Sequence, residues 1–528
     1  MRIESSAIGR LLNVNIPSRF MREEAITRVI MKKNYLLGID VGTTGAKALL
    51  FSDCGEMIAS AYRGYPLITP GIGTSEQRAT DWTDAVVEIV REVCANPECA
   101  ENVRGISLST QGGTIVPVDE NFQPLANAIV WSDARCAGDK GEFDECLGEG
   151  YIYKTCGWNL NRGLPAMQLR RMRAERPEIF EKARYFLSVP DFVSAFLTGK
   201  PAIDLSNAGI NHLCDIKNGK YDPQILEFIG VREDQLAELV PSCHPIGTLT
   251  KEAAAKLGLN ESVVVSSGAH DQYAVALGAG ICAAGDAVIG TGTAWVVTAL
   301  RDEPDFESGF AQSISATDGK WGTMLSISTG GVCLDWLRKK VLSEKDGTPL
   351  DYDTLNALAA ERDEPGAGGL KFYPYFNGAG APESNNACKG TLIGLDLSHD
   401  KGHIVRAVME GVACQIVWAL RAMEKRQPMK RLFLAGGATK SEVWTNMIAE
   451  IAGKEIHVSE IADLACAGAA MMAGVGCGLF ENTEIAAKAI APGGRAVIPN
   501  PERAEKYKKV FEEYQRGARA LRKWYKEV

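Results

Sequence analysis

Two segments of the chain begin in the same way, and this repetition constrains the fold more than any other feature. Tyr35 begins an apolar run, YLLGID, that leads through VGTTG into a second run, AKALLF. Asp286 begins DAVIG, which leads through TGT into AWVVTAL. Apolar and β-branched runs joined by a Gly/Thr turn predict strand pairs. The two segments start roughly 250 residues apart, about the size of one large domain. The sequence therefore predicts two α/β domains of related plan, with a ligand-binding cleft between them.

The predicted domain boundaries follow from this repeat. We expect an N-terminal domain over residues 34–283 and a C-terminal domain over residues 284–528, joined near Ala283-Ala284-Gly285. Residues 1–33 contain scattered arginines that would suit a targeting peptide, but Glu4, Glu23 and Glu24 count against one. We expect this leader to be disordered, or to precede a start codon that was assigned too early.

Composition and charge exclude several classes of function. The formal net charge of −9 argues against a nucleic-acid partner. The 14 cysteines include no CxxC pair, which is typical of reduced thiols in a cytoplasmic protein. The apolar stretch over residues 465–480 is too short for a bilayer span and rich in Gly and Ala. We expect it to be a closely packed helix, and we expect no membrane partner.

The first Gly/Thr turn carries groups that suit a phosphate. Gly42, Thr43 and Thr44 would present N–H groups and hydroxyls to an anion, and Lys47 would add positive charge. Asp40 would repel phosphate directly, so we expect it to hold Mg²⁺ or metal-bound water. A simple β-turn without a ligand is the alternative for this turn taken alone.

Further candidate groups lie between the turns and near the C-terminus. Asp271 follows the apolar strand VVVSS and precedes a small-residue run, as expected for a general base at a domain interface. Capping of the following helix is the alternative role for this acid. Thr291, Gly292 and Thr293 form the second turn. The run AGGATKS from Ala435 ends a strand and opens a helix, where anionic groups are favoured.

Together these motifs resemble the FGGY carbohydrate kinases. The resemblance rests on DVGTTGAK at Asp40, GAHDQ at Gly268, GTGTAW at Gly290 and GGATKSEVW at Gly436, in the family's order. It implies two actin-like (ribonuclease H-like) domains around an interdomain cleft. It also implies transfer of the γ-phosphoryl group of ATP, with Mg²⁺, to a hydroxyl of a small sugar.

The resemblance assigns roles position by position. Asp40 resembles the metal-linked acid, and Asp271 resembles the catalytic base, which also touches the reacting hydroxyl. The implied ATP and phosphate residues are Gly42, Thr43, Thr44, Lys47, Thr291, Gly292, Thr293, Gly436, Gly437, Ala438 and Asn446. The implied substrate residues are Gln111, Gly112, Gly113, Trp131, Asp133, Asp271 and Gln272.

The chain departs from the family pattern in its substrate motifs. Family members place polar or bulky side chains in the turn where this chain has Gly112 and Gly113. Two glycines could enlarge the pocket or let the backbone reach the sugar, and a pentulose is the substrate we expect. An arginine of the family is replaced by Gly380. Trp131 could stack on the sugar, or it could be a buried core residue.

Other functions remain open at this point. A kinase for another ketose or a polyol would use the same motifs. An actin-like or chaperone-like ATPase shares the fold but needs no acceptor acid, which Asp271 argues against. A silent sugar sensor is a third option, opposed by the intact Asp40, Asp271 and both turns. A homodimer is compatible with the sequence.

Overall fold

The structure is a computed structural model that describes residues 33–527 apart from residues 137, 161, 162, 345, 462 and 492. The expected leader therefore falls, except for Lys33, outside the described residues. The strands of the first half are β1 (Tyr35–Val41), β2 (Gly45–Ser52), β3 (Met57–Gly64), β4 (Glu76–Gln77), β5 (Val103–Thr110), β6 (Val116–Val118), β7 (Ala128–Ile129), β8 (Tyr185–Leu187), β9 (Ala202–Asp204), β10 (Cys214–Asp215), β11 (Lys220–Tyr221), β12 (Glu238–Val240), β13 (Pro245–Thr248), β14 (Val264–Ser266) and β15 (Ala269–His270).

A seven-stranded sheet organises the first half. Its order is β13-β14-β5-β1-β2-β3, and β15 pairs with the end of β5. β1 runs antiparallel to β2 and parallel to β5. The side chains of β1 are almost all buried because the strand is apolar and has neighbours on both edges. The first Gly/Thr turn therefore lies beside the end of β5, where Gln111 follows.

The second half repeats this arrangement. Its strands are β16 (Asp286–Thr291), β17 (Trp295–Arg301), β18 (Ala311–Ile314), β19 (Trp321–Ile327), β20 (Lys371–Tyr373), β21 (Thr391–Ile393), β22 (Arg431–Gly436), β23 (Ile456–Ser459) and β24 (Gly494–Val497). The sheet order is β18-β19-β17-β16-β22-β23-β24. β16 runs antiparallel to β17 and parallel to β22, as β1 does to β2 and β5. The prediction of two related α/β units is confirmed.

Helices cover both sheets and extend to the end of the described chain. The α-helices are Ala79–Val93, Pro97–Asn102, Lys140–Leu147, Tyr151–Cys156, Pro165–Glu175, Pro177–Lys182, Val189–Thr198, Leu205–Ile210, Pro223–Ile229, Lys251–Leu257, Asp271–Gly278, Gly331–Trp336, Tyr352–Ala360, Lys401–Glu424, Glu442–Ala452, Leu464–Gly476, Thr483–Ile490 and Pro501–Glu527. The first of these buries Trp82, Val86, Ile89, Val90 and Val93, the face that its sequence periodicity predicts.

Two apolar helices are core elements. Helix Lys401–Glu424 is long and apolar enough to cross a bilayer, but 89% of its apolar window is buried inside the protein. Helix Leu464–Gly476 packs against β1, β5 and helix Asp271–Gly278. A side chain at Gly38 would overlap the backbone at Cys466, and one at Gly468 would overlap the backbone at Ala274. The close packing predicted for this small-residue stretch is confirmed, and it brings the start of the helix to the first Gly/Thr turn.

Candidate active site

Asp40 lies near the end of β1, directly beside Ser109 on β5. The Ser109 hydroxyl donates to Asp40 Oδ1 at 2.6 Å. Burial raises the pKa of the Asp40 carboxyl to about 7, the charge of Asp463 adds to this rise, and the Ser109 hydrogen bond opposes it. A half-buried carboxylate with other acids nearby is suited to a hard cation, which would stabilise its charged form. The residues at this position therefore fit Mg²⁺, held directly or through water.

Asp463 belongs to this part of the cleft although the sequence motifs did not point to it. Lys47 Nζ lies 2.6 Å from Asp463 Oδ2, which joins β2 to the start of helix Leu464–Gly476. The other carboxylate oxygen of Asp463 accepts the N–H of Cys466 and so caps that helix. The Lys47 charge is thus engaged by an acid rather than free beside the turn. An acid directly before the small-residue helix is the signal that could have identified Asp463.

Thr43 links the first turn to the expected acceptor side of the cleft. Its hydroxyl donates to Gln111 Oε1 and accepts from Trp131 Nε1, both at 3.0 Å. Gln77 completes the network by donating to the Thr43 carbonyl and accepting from Gln111. Thr44 is exposed, and among the described residues its hydroxyl has no hydrogen-bond partner. Thr44 is therefore the hydroxyl of this turn that is free for a phosphate, while Thr43 holds the turn in place.

Trp131 and Asp133 differ sharply in their surroundings. Trp131 is 42% exposed, so the alternative of a buried core residue is wrong. Asp133 is 1% exposed and accepts from the backbone N–H of Ser75 and from the Arg135 guanidinium. Arg135 is also paired with Glu76. The surroundings of Asp133 do not match the sugar contact that the sequence predicts, because neighbouring donors already use its carboxylate.

Asp271 is the first residue of helix Asp271–Gly278, directly after β15. The residue that caps this helix is His270, whose side chain accepts from the N–H of Gln272, so capping is not the role of Asp271. Asp271 Oδ1 is enclosed and has no hydrogen-bond partner among the described residues, although His270 Nδ1 lies 3.1 Å away. A carboxylate oxygen without a hydrogen-bond partner is suited to accept a proton from a ligand.

Gln272 faces the second half of the chain. Its Oε1 would lie 3.6 Å from a Cβ atom on Gly290, so the side chain reaches the base of the second turn. The start of the helix, with Asp271 and Gln272, therefore lies next to the second Gly/Thr turn. The structure brings Gln272 to this junction, whereas the sequence predicts a contact with the substrate.

The second turn is tied to the loop after β22. The buried Thr291 hydroxyl donates to the Ala435 carbonyl at 2.6 Å and accepts the Ala438 N–H at 3.0 Å. Gly436 has a φ of 91° and a Cβ atom there would lie 3.0 Å from Thr291, so both conformation and space require glycine. Gly292, Thr293, Gly436 and Gly437 are exposed. The structure therefore brings the second turn and the 436–438 loop together as one surface.

Asn446 directly follows Thr445, whose hydroxyl donates to the Ala438 carbonyl at 3.1 Å. It is exposed on helix Glu442–Ala452 and lines a cavity of about 400 Å³ together with Asp363, Glu450 and Arg503. Residues 436–438 do not line this cavity. The helix presents Asn446 at a charged surface beside the C-terminal helix, one residue after the threonine that bonds to the 436–438 loop, and its role in binding adenosine stays a prediction.

Side chains of neighbouring residues fill the space beside the turn that contains Gly112 and Gly113. A Cβ atom on Gly112 would lie 2.5 Å from His270 Cδ2 and 2.9 Å from Ile210 Cγ2. Gly113 has a φ of 70°, and a Cβ atom there would lie 2.7 Å from Leu164 Cδ2. The expectation that these glycines enlarge the pocket is wrong, because neighbouring side chains occupy the space. Both glycines are buried, and the alternative that their backbone reaches the sugar stays a prediction.

Neighbouring atoms also fill the space around Gly380, the residue that replaces an arginine of the family. A Cβ atom there would lie 2.9 Å from the Ser326 carbonyl oxygen and 3.0 Å from Ile327 Cα, both on β19. The backbone of this segment therefore packs directly on the sheet, and a long side chain at residue 380 would displace it.

The comparisons with known proteins agree with this architecture. Sequence models of the FGGY family of carbohydrate kinases match over residues 35–278 for the N-terminal domain and 286–477 for the C-terminal domain. The chain belongs to this family, and it is therefore a carbohydrate kinase with two actin-like domains.

Individual relatives cover nearly the whole chain. A gluconokinase of Bacillus licheniformis is 30% identical over 504 residues, which are 94% of this chain and 98% of the relative. A xylulose kinase of Bacillus subtilis is 30% identical over 487 residues, 91% of this chain and 96% of the relative. A solved structure of a xyloylose kinase from Brucella ovis superposes with a TM-score of 0.85 at 26% identity, covering 92% of this chain and 99% of that one.

Proposed function

We propose that this kinase transfers the γ-phosphoryl group of ATP to a hydroxyl of a pentulose, with Asp271 as the general base. The observation that carries the proposal is the position of Asp271. Its helix starts between the two Gly/Thr turns, and one carboxylate oxygen is enclosed without a protein partner. A sugar hydroxyl is a poor nucleophile, and a carboxylate placed in this way would accept its proton as the phosphoryl group moves.

The two turns would hold the phosphates from opposite sides of the cleft. N–H groups and hydroxyls at Gly42, Thr44, Gly292 and Thr293 would stabilise the charge that spreads over the phosphate oxygens. Lys47 would contribute its charge from its ion pair with Asp463. Asp40 would hold Mg²⁺, which supplies charge neutralisation on the phosphates when it is bound.

The remaining groups divide between the two halves. We propose that residues 34–283 bind the acceptor sugar, with Trp131 and Gln111 on its side of Thr43. Residues 284–528 would bind adenosine through Gly436, Gly437 and Ala438. Closure of the halves would align donor and acceptor and exclude water as a competing acceptor. We place this enzyme in the cytoplasm, as its reduced cysteines indicate.

A sugar acid is the second candidate acceptor. It is favoured by one observation: gluconokinases are as similar to this chain as xylulose kinases, at 29% and 30% identity over 504 residues. Gluconate carries a carboxylate that a pentulose lacks, so the two acceptors would need different groups opposite that end.

The test is sugar-dependent release of ADP with ATP and Mg²⁺. The acceptor panel contains D- and L-xylulose, D- and L-ribulose, D-gluconate, L-fuculose, erythritol and glycerol. We expect one pentulose to give a kcat/KM at least about tenfold above every other acceptor. Preference for gluconate would replace the pentulose by the second candidate. Failure of every acceptor to stimulate ADP release would contradict the proposed reaction.

A further inference from the structure

The His270 ring occupies the space that a side chain on residue 112 would need. A Cβ atom on Gly112 would lie 2.5 Å from His270 Cδ2 and 3.0 Å from His270 Nε2. Gly112 is not among the glycines with positive φ, so its backbone conformation alone would accept a side chain. The turn therefore lacks a side chain at residue 112 because an imidazole from β15 lies there instead.

The protein fixes the orientation of this ring. The His270 backbone N–H donates to Ser206 Oγ at 2.8 Å, and His270 Nδ1 accepts the N–H of Gln272 at 3.3 Å. The rings of Trp158 and Tyr273 flank the imidazole, with centroids 5.8 and 5.9 Å away. Nδ1 also lies 3.1 Å from Asp271 Oδ1. When Nδ1 accepts the Gln272 N–H, the neutral ring carries its proton on Nε2, whereas a neutral ring that donates from Nδ1 to Asp271 has an acceptor at Nε2. In the first arrangement the donor belongs to the edge that faces the turn.

Unpartnered polar atoms belong to this ring and to residues near it. Among the described residues, His270 Nε2 has no hydrogen-bond partner. Trp158 Nε1, Asn207 Oδ1 and Asp271 Oδ1 are enclosed and likewise lack partners within the described part of the chain. Asn207 also donates to Thr110, the residue before Gln111. Enclosed polar atoms are usually satisfied, so donors and acceptors left together in this way indicate a polar ligand.

We propose that His270 is a substrate-binding residue that determines which acceptor this kinase takes, by donating a hydrogen bond from Nε2 to an oxygen of the acceptor. The inference rests on the proposed function, because it places the acceptor beside Asp271. A hydroxyl, a carbonyl or a carboxylate oxygen has the chemistry to accept this bond. His270 therefore takes over the role that a polar side chain in the 111–114 turn would otherwise have.

The first test measures steady-state kinetics of His270→Ala and His270→Gln with the preferred acceptor. Loss of one directional donor predicts a rise of about tenfold or more in the acceptor KM for His270→Ala. The KM for ATP should stay within about twofold, and His270→Gln should recover part of the loss. His244→Ala is the matched control, since His244 is exposed. An unchanged acceptor KM in folded His270→Ala would overturn the inference and leave the proposed reaction intact.

The second test combines His270→Ala with Gly112→Ala. Alone, Gly112→Ala should displace the ring and lower kcat/KM for the acceptor by about tenfold or more. In the His270→Ala background, the same change should cost less than about threefold, because the ring is gone. If the losses of kcat/KM were additive in the double variant, the inference that a side chain at residue 112 and the His270 ring compete for the same space would be contradicted.

A binding readout separates this inference from turnover. The chain has 6 histidines, and comparison with His270→Ala assigns the ring resonance of His270 in an NMR spectrum. We expect D-xylulose, L-xylulose or D-gluconate to shift this resonance, with the responding compound showing whether the bound oxygen belongs to a ketose or a sugar acid. A shift without phosphorylation would support the inference while the proposed reaction fails. No shift with the compound that the kinase phosphorylates, or with any compound if it phosphorylates none, would overturn the inference.

Discussion

Thr43 in the first Gly/Thr turn and Thr291 in the second both use their hydroxyls to reach the segment around the end of the neighbouring parallel strand. Thr43 bonds to Gln111, which follows β5, whereas Thr291 bonds to Ala435 on β22 and to Ala438 after it. Under the proposed function, one local plan would thus join two different ligand surfaces to the phosphates: the acceptor side in the first half and the adenosine side in the second. In both halves the threonine therefore anchors its turn to the neighbouring segment.

Charge distinguishes the two turns. Asp40 on β1 lies opposite Lys47 on β2, whereas Gly290 on β16 lies opposite Val296 on β17. Ser109 lies beside Asp40, and Ala435 lies beside Gly290. Next to the turns themselves, the first half has the charged pair Asp40 and Lys47 where the second half has Gly290 and Val296, so we expect the cation chemistry of the reaction on the first side.

The largest effect is expected at Asp40. Asp40→Asn keeps the size and the Ser109 contact but removes the charge that suits Mg²⁺, so we expect kcat to fall by about 100-fold. The measurement is sugar-dependent ADP release across a range of Mg²⁺ concentrations. Asp84→Asn, on the exposed face of helix Ala79–Val93, is the control. Equal activity of the two variants would show that the charge difference between the turns has no catalytic role.

The two anchoring threonines should separate the two ligands. We expect Thr43→Val to raise the acceptor KM by about tenfold and Thr291→Val to raise the ATP KM by about the same factor. Thr291→Val should also lower the free energy of unfolding by about 1–3 kcal/mol, because it leaves the Ala438 N–H without its partner. The same KM changing in both variants would break the comparison.

A smaller effect is expected at the Lys47–Asp463 pair. Because the Lys47 side chain is 37% exposed, Lys47→Met should lower the free energy of unfolding by no more than about 1 kcal/mol. The KM for ATP should rise by a few fold if the lysine also supports phosphate binding. Urea denaturation and steady-state kinetics check the two parts. A loss of stability without any kinetic change would limit Lys47 to holding helix Leu464–Gly476.

The smallest effect is expected at Asn446. This residue is exposed beside Glu450 and Arg503, so Asn446→Ala should change the ATP KM by less than about twofold. Its comparison is Thr291→Val, whose ATP KM should change much more. A tenfold rise for Asn446→Ala would return this residue to the adenosine site.

Local patterns predicted the start of each half well because β1–β2 and β16–β17 are adjacent in sequence and each pair is joined by its own Gly/Thr turn. The Lys47–Asp463 contact joins residues 416 positions apart, and nothing in either local motif indicates the other. The sugar contact expected of Asp133 stays a prediction, and the motif that suggested it shows which residue is present but not that Arg135, two positions later, already uses the carboxylate. The role of Gly112 depends on the His270 ring, which only the three-dimensional packing brings to the turn.

The most direct test of the account is a comparison of ATP binding and sugar phosphorylation in Asp271→Asn. This variant keeps the shape of the side chain but removes the carboxylate that would accept the hydroxyl proton. We predict that calorimetric affinity for ATP stays within about twofold of the wild type while sugar-dependent ADP release falls by at least about 100-fold. Sugar phosphorylation at the wild-type rate in this variant would contradict the assignment of Asp271 as the general base.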